Sequence, residues 1–176
     1  IWDGTNSGAV TLNNGTWGGN NSDAGIVTLN GGTWNGDNEG TATIKGGTWN
    51  GTNSGTVTIS NGEWSGNNSG TVTLQDGIWS GNNLGTTTLN GGNWTGINTA
   101  EGEATIAGGT WSNDNSGTVN FNGGAWSSNN SGTVIFNGGS WTGNNTENGT
   151  VTVNATGWSG NNAGAGSVEL KADWSG

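Results

Sequence analysis

Tryptophan recurs along this chain with a near-fixed period: Trp2, Trp17, Trp34, Trp49, Trp64, Trp79, Trp94, Trp111, Trp126, Trp141, Trp158 and Trp174. The spacings are 15, 16 or 17 residues, with 15 the commonest. Such a unit is too small to bury its own apolar face, so copies must stack into one continuous core. Aligning the chain on Trp gives the consensus G-T-V-T-L-N-G-G-T-W-S-G-N-N-S. Eleven copies carry a full strand-turn-Trp unit, after a partial copy at residues 1–7.

Several columns of this alignment barely vary. The opening Gly is invariant from Gly8 to Gly166. The Leu column is always apolar but changes identity, as at Leu12, Ile44, Phe121, Phe136 and Val153. The fourth residue after Trp is always Asn: Asn6, Asn21, Asn38, Asn53, Asn68, Asn83, Asn98, Asn115, Asn130, Asn145 and Asn162. In T-V-T-L-N, apolar and polar residues alternate, the period of a strand with one buried face. Branched Thr and Val suit that pleated surface. A Gly-Gly, Asn-Gly or Asp-Gly pair follows in nine of eleven copies and supplies positive φ for a corner. A short T-W-S strand comes next, then a second corner at G-N-N-S-G.

The extra residues fall only between Trp and the next Gly, two at a time, as in residues 97–102. An insertion of two leaves the inward-outward alternation intact. The expected fold is therefore all-β: one β-solenoid (β-helix) domain over residues 1–176, with about 11–12 coils of 15–17 residues and two short strands per coil. Val, Leu and Trp ladders point inward, and the Asn column stacks at the second corner, its amides bonding along the axis. The rival is an antiparallel meander, since Asn-Gly is also a hairpin turn. A flat meander of so many short strands would curl or split.

The Trp column admits two orientations. Outward, it makes an aromatic platform for polysaccharide. Inward, it fills a coil that Val and Leu alone leave too empty, and inward is the expected state. One rung buries apolar groups worth about 1.5–3 kcal/mol each, against about 1–2 kcal/mol for each backbone it fixes. A rung cannot fold without neighbours.

Composition removes other functions. The formal net charge is −10, and Lys45 and Lys171 are the only basic residues. Nucleic acid and anionic membranes are thus excluded as expected partners. There is no apolar run long enough to span a membrane. Without His or Cys, nucleophilic triads lack their usual base and thiolate metal sites lack ligands. The close carboxylate pairs Asp37/Glu39 and Glu101/Glu103 sit in or beside corners, as solvated charge. No enzyme activity, cofactor or metal is expected. Nine Asn-x-Ser/Thr sequons occur, Asn20, Asn67, Asn129 and Asn144 sharing one column; this composition generates them by chance.

The outward Thr columns stand apart. Thr-x-Thr is intact at Thr41 and Thr43, Thr56 and Thr58, Thr71 and Thr73, Thr86 and Thr88, and Thr150 and Thr152. Both members of each pair are expected to face outward. This pattern resembles the Thr ladders of insect antifreeze proteins, which implies a flat face that orders ice-like water. The sequence departs from them at Glu103, Asn120, Ile135 and Glu169, and lacks their disulfides. The wider G-T-V-T-L-N-G-G wording is similar to Gly/Asn/Thr-rich repeats of bacterial surface adhesins, autotransporter passengers and matrix-fibre proteins. That resemblance covers the whole chain and implies secretion, a cell-surface or extracellular setting and a structural or adhesive role. It carries over no binding residue.

The expected function is an extracellular stiff rod or fibre subunit. Ice binding through the Thr face is the alternative, and glycan binding the third. Both termini fall in mid-rung, beside Trp2 and Trp174, and the last copy replaces its Gly-Gly corner with Lys171-Ala172-Asp173. End-to-end stacking on another copy, or membership of a longer solenoid, is expected from that. The expected partners are the chain itself and, on the polar faces, surface polysaccharide or ice.

Overall fold

The computed structural model describes residues 1–171, so Trp174 and the Ala172–Asp173 corner lie outside the described residues. The chain is an all-β solenoid of about eleven stacked parallel coils, with no helix among the described residues. Eleven four-residue strands, from Ala9–Leu12 through Thr71–Leu74 to Ser167–Leu170, form one parallel sheet. Nine two-residue strands, from Thr16–Trp17 to Ser140–Trp141, form a second. Each strand pairs with its own copy one rung away. Leu74 opposes Ile59 and Leu89, and Trp79 opposes Trp64 and Trp94. All strand pairing described is parallel, which excludes the meander. The Gly-containing pairs turn corners of a coil and do not close hairpins.

The backbone also pairs along a third line. Asn6↔Asn21 through Asn145↔Asn162 are isolated parallel bridges, so the Asn column joins neighbouring rungs by main chain as well as side chain.

In each described first-corner pair the invariant Gly is the second residue. The second member has φ between 73° and 120° at ten rungs, from Gly15 to Gly157. The first member varies, as Asn14, Gly31, Asp76 or Thr156. Positive φ places a Cβ against backbone, so the chain substitutes the first position and keeps Gly at the second.

The insertions fall in the second corner, as expected, and leave the strands unchanged. At rungs with two extra residues, the surplus leaves as a separate turn between the ladder Asn and the opening Gly, for example Asp23-Ala24 and Ala100-Glu101. Asn21 still bonds the carbonyl of Gly25, four residues on, as Asn38 bonds that of Gly40, two residues on. The alternation survives because no strand is lengthened.

Inward positions form one core running the length of the rod. The first and third residues of each long strand face outward and the second and fourth inward, with Val27, Leu29, Val57, Ile59, Val72 and Leu74 fully buried. The core accepts changes of volume: Ala42 and Ala104 stand in the Val column, and Phe121 and Phe136 stand in the Leu column. The two Phe rings stack at 5.5 Å and lean on Trp126 and Trp141 at 6.1 and 6.4 Å.

Candidate functional site

Two internal ladders and one outward face carry what the rod can do. The Trp column points inward. Trp17, Trp34, Trp49, Trp64, Trp79, Trp94, Trp111, Trp126 and Trp141 are at most 1% exposed, Trp158 is 9% exposed and Trp2, in the first rung, 39%. Consecutive rings from Trp2 to Trp158 are near-parallel, 5–12° apart, with centroids 4.5–4.8 Å apart. The rung repeat of a parallel sheet sets that distance, and it suits offset stacking. An outward Trp platform for sugar rings is absent among the described residues.

Each indole N–H is satisfied across rungs. Trp79 Nε1 donates to the Gly66 carbonyl at 2.9 Å, and the same bond recurs from Trp17 to Trp158 at 2.8–3.0 Å. The acceptor is the residue two past the preceding Trp, usually Gly. A Cβ on Gly81 would sit 2.9 Å from Trp79 Nε1 and closer still to the Gly66 carbonyl. Gly at this position avoids that contact. Asn113 and Ser128 occupy the same column half-buried, and Asn113 Nδ2 donates to the Thr95 carbonyl at 2.8 Å.

The Asn column is a directional amide ladder. Nδ2 of each Asn donates to Oδ1 of the Asn one rung further on, at 2.7–2.9 Å, without a break from Asn6 to Asn162. The second Nδ2 hydrogen goes to the opening-Gly carbonyl of the same rung, as from Asn68 to Gly70 at 3.0 Å. Asn21 to Asn145 are fully buried, while Asn162 is exposed. No buried side-chain N or O among the described residues lacks a partner. The one polar residue in the Val column, Thr87, joins the ladder by donating Oγ1–H to Asn83 Oδ1 at 2.9 Å.

A third ladder, which the consensus does not announce, runs beside it. The residue before the ladder Asn uses its side-chain oxygen to accept the backbone N–H of its counterpart one rung on. Asn20 accepts from Asp37, Asp37 from Thr52, Asn67 from Asn82, Asp114 from Asn129 and Asn144 from Asn161, at 2.7–3.0 Å. The signal is present in the sequence, since this column is mostly Asn or Asp and includes the shared sequon column. These oxygens satisfy a backbone donor that the second corner leaves unpaired.

The Thr face is the outer side of the long-strand sheet. Its pairs at Thr41 and Thr43, Thr56 and Thr58, Thr71 and Thr73, and Thr86 and Thr88 lie in register on four neighbouring strands. Both columns lie on the outer face of the sheet, but they differ in exposure. Thr41, Thr56, Thr71, Thr86 and Thr150 are exposed, but Thr43, Thr58, Thr73, Thr88 and Thr152 are half-buried. The reason is their place on the strand. The second Thr of a pair is flanked on its own face by residues two before and two after, as Thr43 is by Thr41 and Lys45, and by its own copies one rung away. Thr43, Thr58, Thr73, Thr88 and Thr152 therefore form the floor of the face, and the first column its open rim. The pair at Thr150 and Thr152 is also set apart, beyond the Glu103, Asn120 and Ile135 interruptions. A depression of about 220 Å³ opens at those interruptions, lined by Thr86, Glu103, Ala104, Thr105, Thr118 and Asn120.

No protein-family model, curated protein or solved structure matches the chain. The class rests on the architecture: a tandem-repeat, parallel β-solenoid with Thr-rich repeats.

Proposed function

We propose that this chain is a segment of an extracellular or cell-surface rod, a structural fibre or adhesin shaft whose working partner is another solenoid rung. The unbroken, one-way Asn ladder carries this reading. Every rung offers an amide acceptor on one side and an amide donor on the other. Rungs of separate copies therefore match as neighbours within one chain do, and they match in only one orientation. Parallel strand edges and the Trp stack repeat that complementarity. The polar exterior and net charge of −10 support display in water. Sedimentation and electron microscopy of the purified chain test the reading. Filaments lengthening with concentration, built from segments about 50 Å long at a rung spacing near 4.8 Å, are expected. A monodisperse 17.5 kDa monomer at high concentration overturns end-to-end assembly.

The in-register Thr pairs on four adjacent strands favour ice binding as the second reading. Thermal hysteresis or ice shaping at millimolar protein, lost in Thr73→Tyr with the rod still folded, is its expected signature. A wild-type chain inactive in that assay removes it. Contacts with surface polysaccharide fall to the outward Thr columns and to exposed second-corner residues such as Asn20, Asp37 and Asn67, since the indoles and the ladder Asn are buried.

A further inference from the structure

We infer that the Trp column is a relay for one-electron oxidation: a hole created at one rung migrates along the stacked indoles and is filled at another. Three observations carry this. The chain has no Tyr, Cys, Met or His, so the usual alternative sinks for an oxidising equivalent are missing and indole is left as the readily oxidised side chain. The indoles form one uninterrupted stack from Trp2 to Trp158, each step 4.5–4.8 Å and within 12° of parallel. Rings in that arrangement are offset-stacked with their π-systems in contact, and neighbours in near-identical surroundings exchange an electron with little driving force either way.

The surroundings are near-identical by construction. From Trp17 to Trp141 every ring is buried to the same degree and donates its N–H to a backbone carbonyl of the preceding rung. An amide oxygen accepts a hydrogen bond but does not take the proton. An indole that loses an electron thus keeps its N–H and remains a radical cation able to pass the hole on. The transfer moves one electron: the neighbour becomes the radical cation and the first ring returns to neutral, with no bond made or broken and no proton moved. The first electron goes to an external one-electron oxidant, such as a carbonate radical, which leaves as carbonate. The hole is filled by a reductant of the phenol class at whichever rung it reaches. A rod so built spreads oxidative attack over its length.

The test uses the intact chain with one cysteine introduced at exposed Thr142, beside Trp141; the chain has no other thiol. A ruthenium polypyridyl complex is attached there and flash-quenched by a dissolved cobalt(III) ammine, leaving ruthenium(III) to take an electron from the stack. In the absence of reductant, holes are trapped when water adds to the ring with loss of a proton and dissolved oxygen takes the remaining hydrogen atom as hydroperoxyl, and the hydroxylated indoles are located by top-down mass spectrometry. Adducts on Trp17, Trp34 and Trp49, as well as on Trp126 and Trp141, are expected. A second chain with Trp64, Trp79 and Trp94 all changed to Phe keeps rings in place but removes the indoles from four stacking steps of 4.6–4.8 Å. Its Trp17, Trp34 and Trp49 should lose nearly all their adduct while Trp111 and Trp126 keep theirs. Adducts confined to Trp126, Trp141 and Trp158 in the parent overturn the relay, whether or not the Phe chain folds. So does an unchanged distribution in a folded Phe chain, or equal adduct on an isotope-labelled, untethered copy in the same tube.

Discussion

The columns of the interior fall into two kinds. The Trp and Asn columns never change residue over the described rungs, whereas the Leu column accepts Leu, Ile, Val and Phe, and the Val column accepts Val, Ala and Thr. All four are equally buried through the middle of the rod, so burial does not separate them. Direction does. Each Trp aims an N–H at a particular carbonyl, and each Asn is donor to one rung and acceptor from another. Val and Leu contacts have no preferred angle, and their volumes trade against neighbours. Identity within this chain is fixed where a side chain makes a directional bond across rungs, and relaxed where it only fills space.

Asn68→Asp tests that distinction most severely. Asn68 Nδ2 donates to the Gly70 carbonyl and to Asn83 Oδ1, and a carboxylate brings only acceptors to both. The shape is kept while a buried, unpaired charge faces oxygens on two sides, a change that costs about 5 kcal/mol or more. Burial raises the pKa of this new carboxyl above its unfolded value of about 4. The penalty is therefore fully present only above that raised folded value and shrinks as pH falls through it toward the unfolded one, where the carboxyl regains one donor. Urea denaturation of this variant against Asn68→Ala should show the gap between them closing on acidification. A pH-independent gap would mean the site is hydrated and the ladder less exacting than its geometry.

Trp79→Ala comes next. It empties one slot of the stack and should cost about 3–5 kcal/mol. Wild-type fluorescence should be blue-shifted and poorly quenched by iodide; red-shifted, readily quenched emission would contradict the inward column. Trp79→Phe sharpens the comparison, because it keeps an aromatic ring and removes the bond to the Gly66 carbonyl. If direction fixes the Trp column, Phe should still cost about 1–3 kcal/mol for the unpaired carbonyl alone.

The repeat makes most of this fold legible. Identical columns at one spacing announce like stacked on like, which gives the parallel register, the inward Trp and the Asn corner without knowledge of any distance. What stays hidden depends on relations between rungs that a consensus does not contain. The Nε1–H to carbonyl bond joins a Trp to a residue of the previous copy, so the Gly two past Trp reads as a turn residue when it is also a clearance for the indole. The outer Asx ladder, from Asn20 to Asn144, is obscured because Asn, Asp and Thr share the column and look like corner polarity. The two-residue insertions suggest strand parity, while Asn21 and Asn98 anchor a turn that leaves the coil altogether. On the Thr face, alternation gives the outward direction of Thr43 and Thr58 but not how far their neighbours screen them.

The smallest expected effect belongs to the non-directional columns, and it is the one that decides whether the comparison holds. Leu74 lies between Ile59 and Leu89 in the long-strand sheet, so the Leu column already tolerates both branching patterns side by side. Leu74→Ile conserves volume, removes no hydrogen bond and places a β-branched residue in a strand that suits it. Its cost should stay below about 1.5 kcal/mol, well under that of Asn68→Asp at equal burial. Hydrogen exchange at the backbone amides of Gln75 and Asn90, which bond the carbonyls of Ile59 and Leu74, reports on these rungs directly. Protection there should change little in Leu74→Ile and collapse in Asn68→Asp. A Leu74→Ile chain that loosens as much as the Asp variant would mean that close packing, and not bond direction, fixes which columns vary.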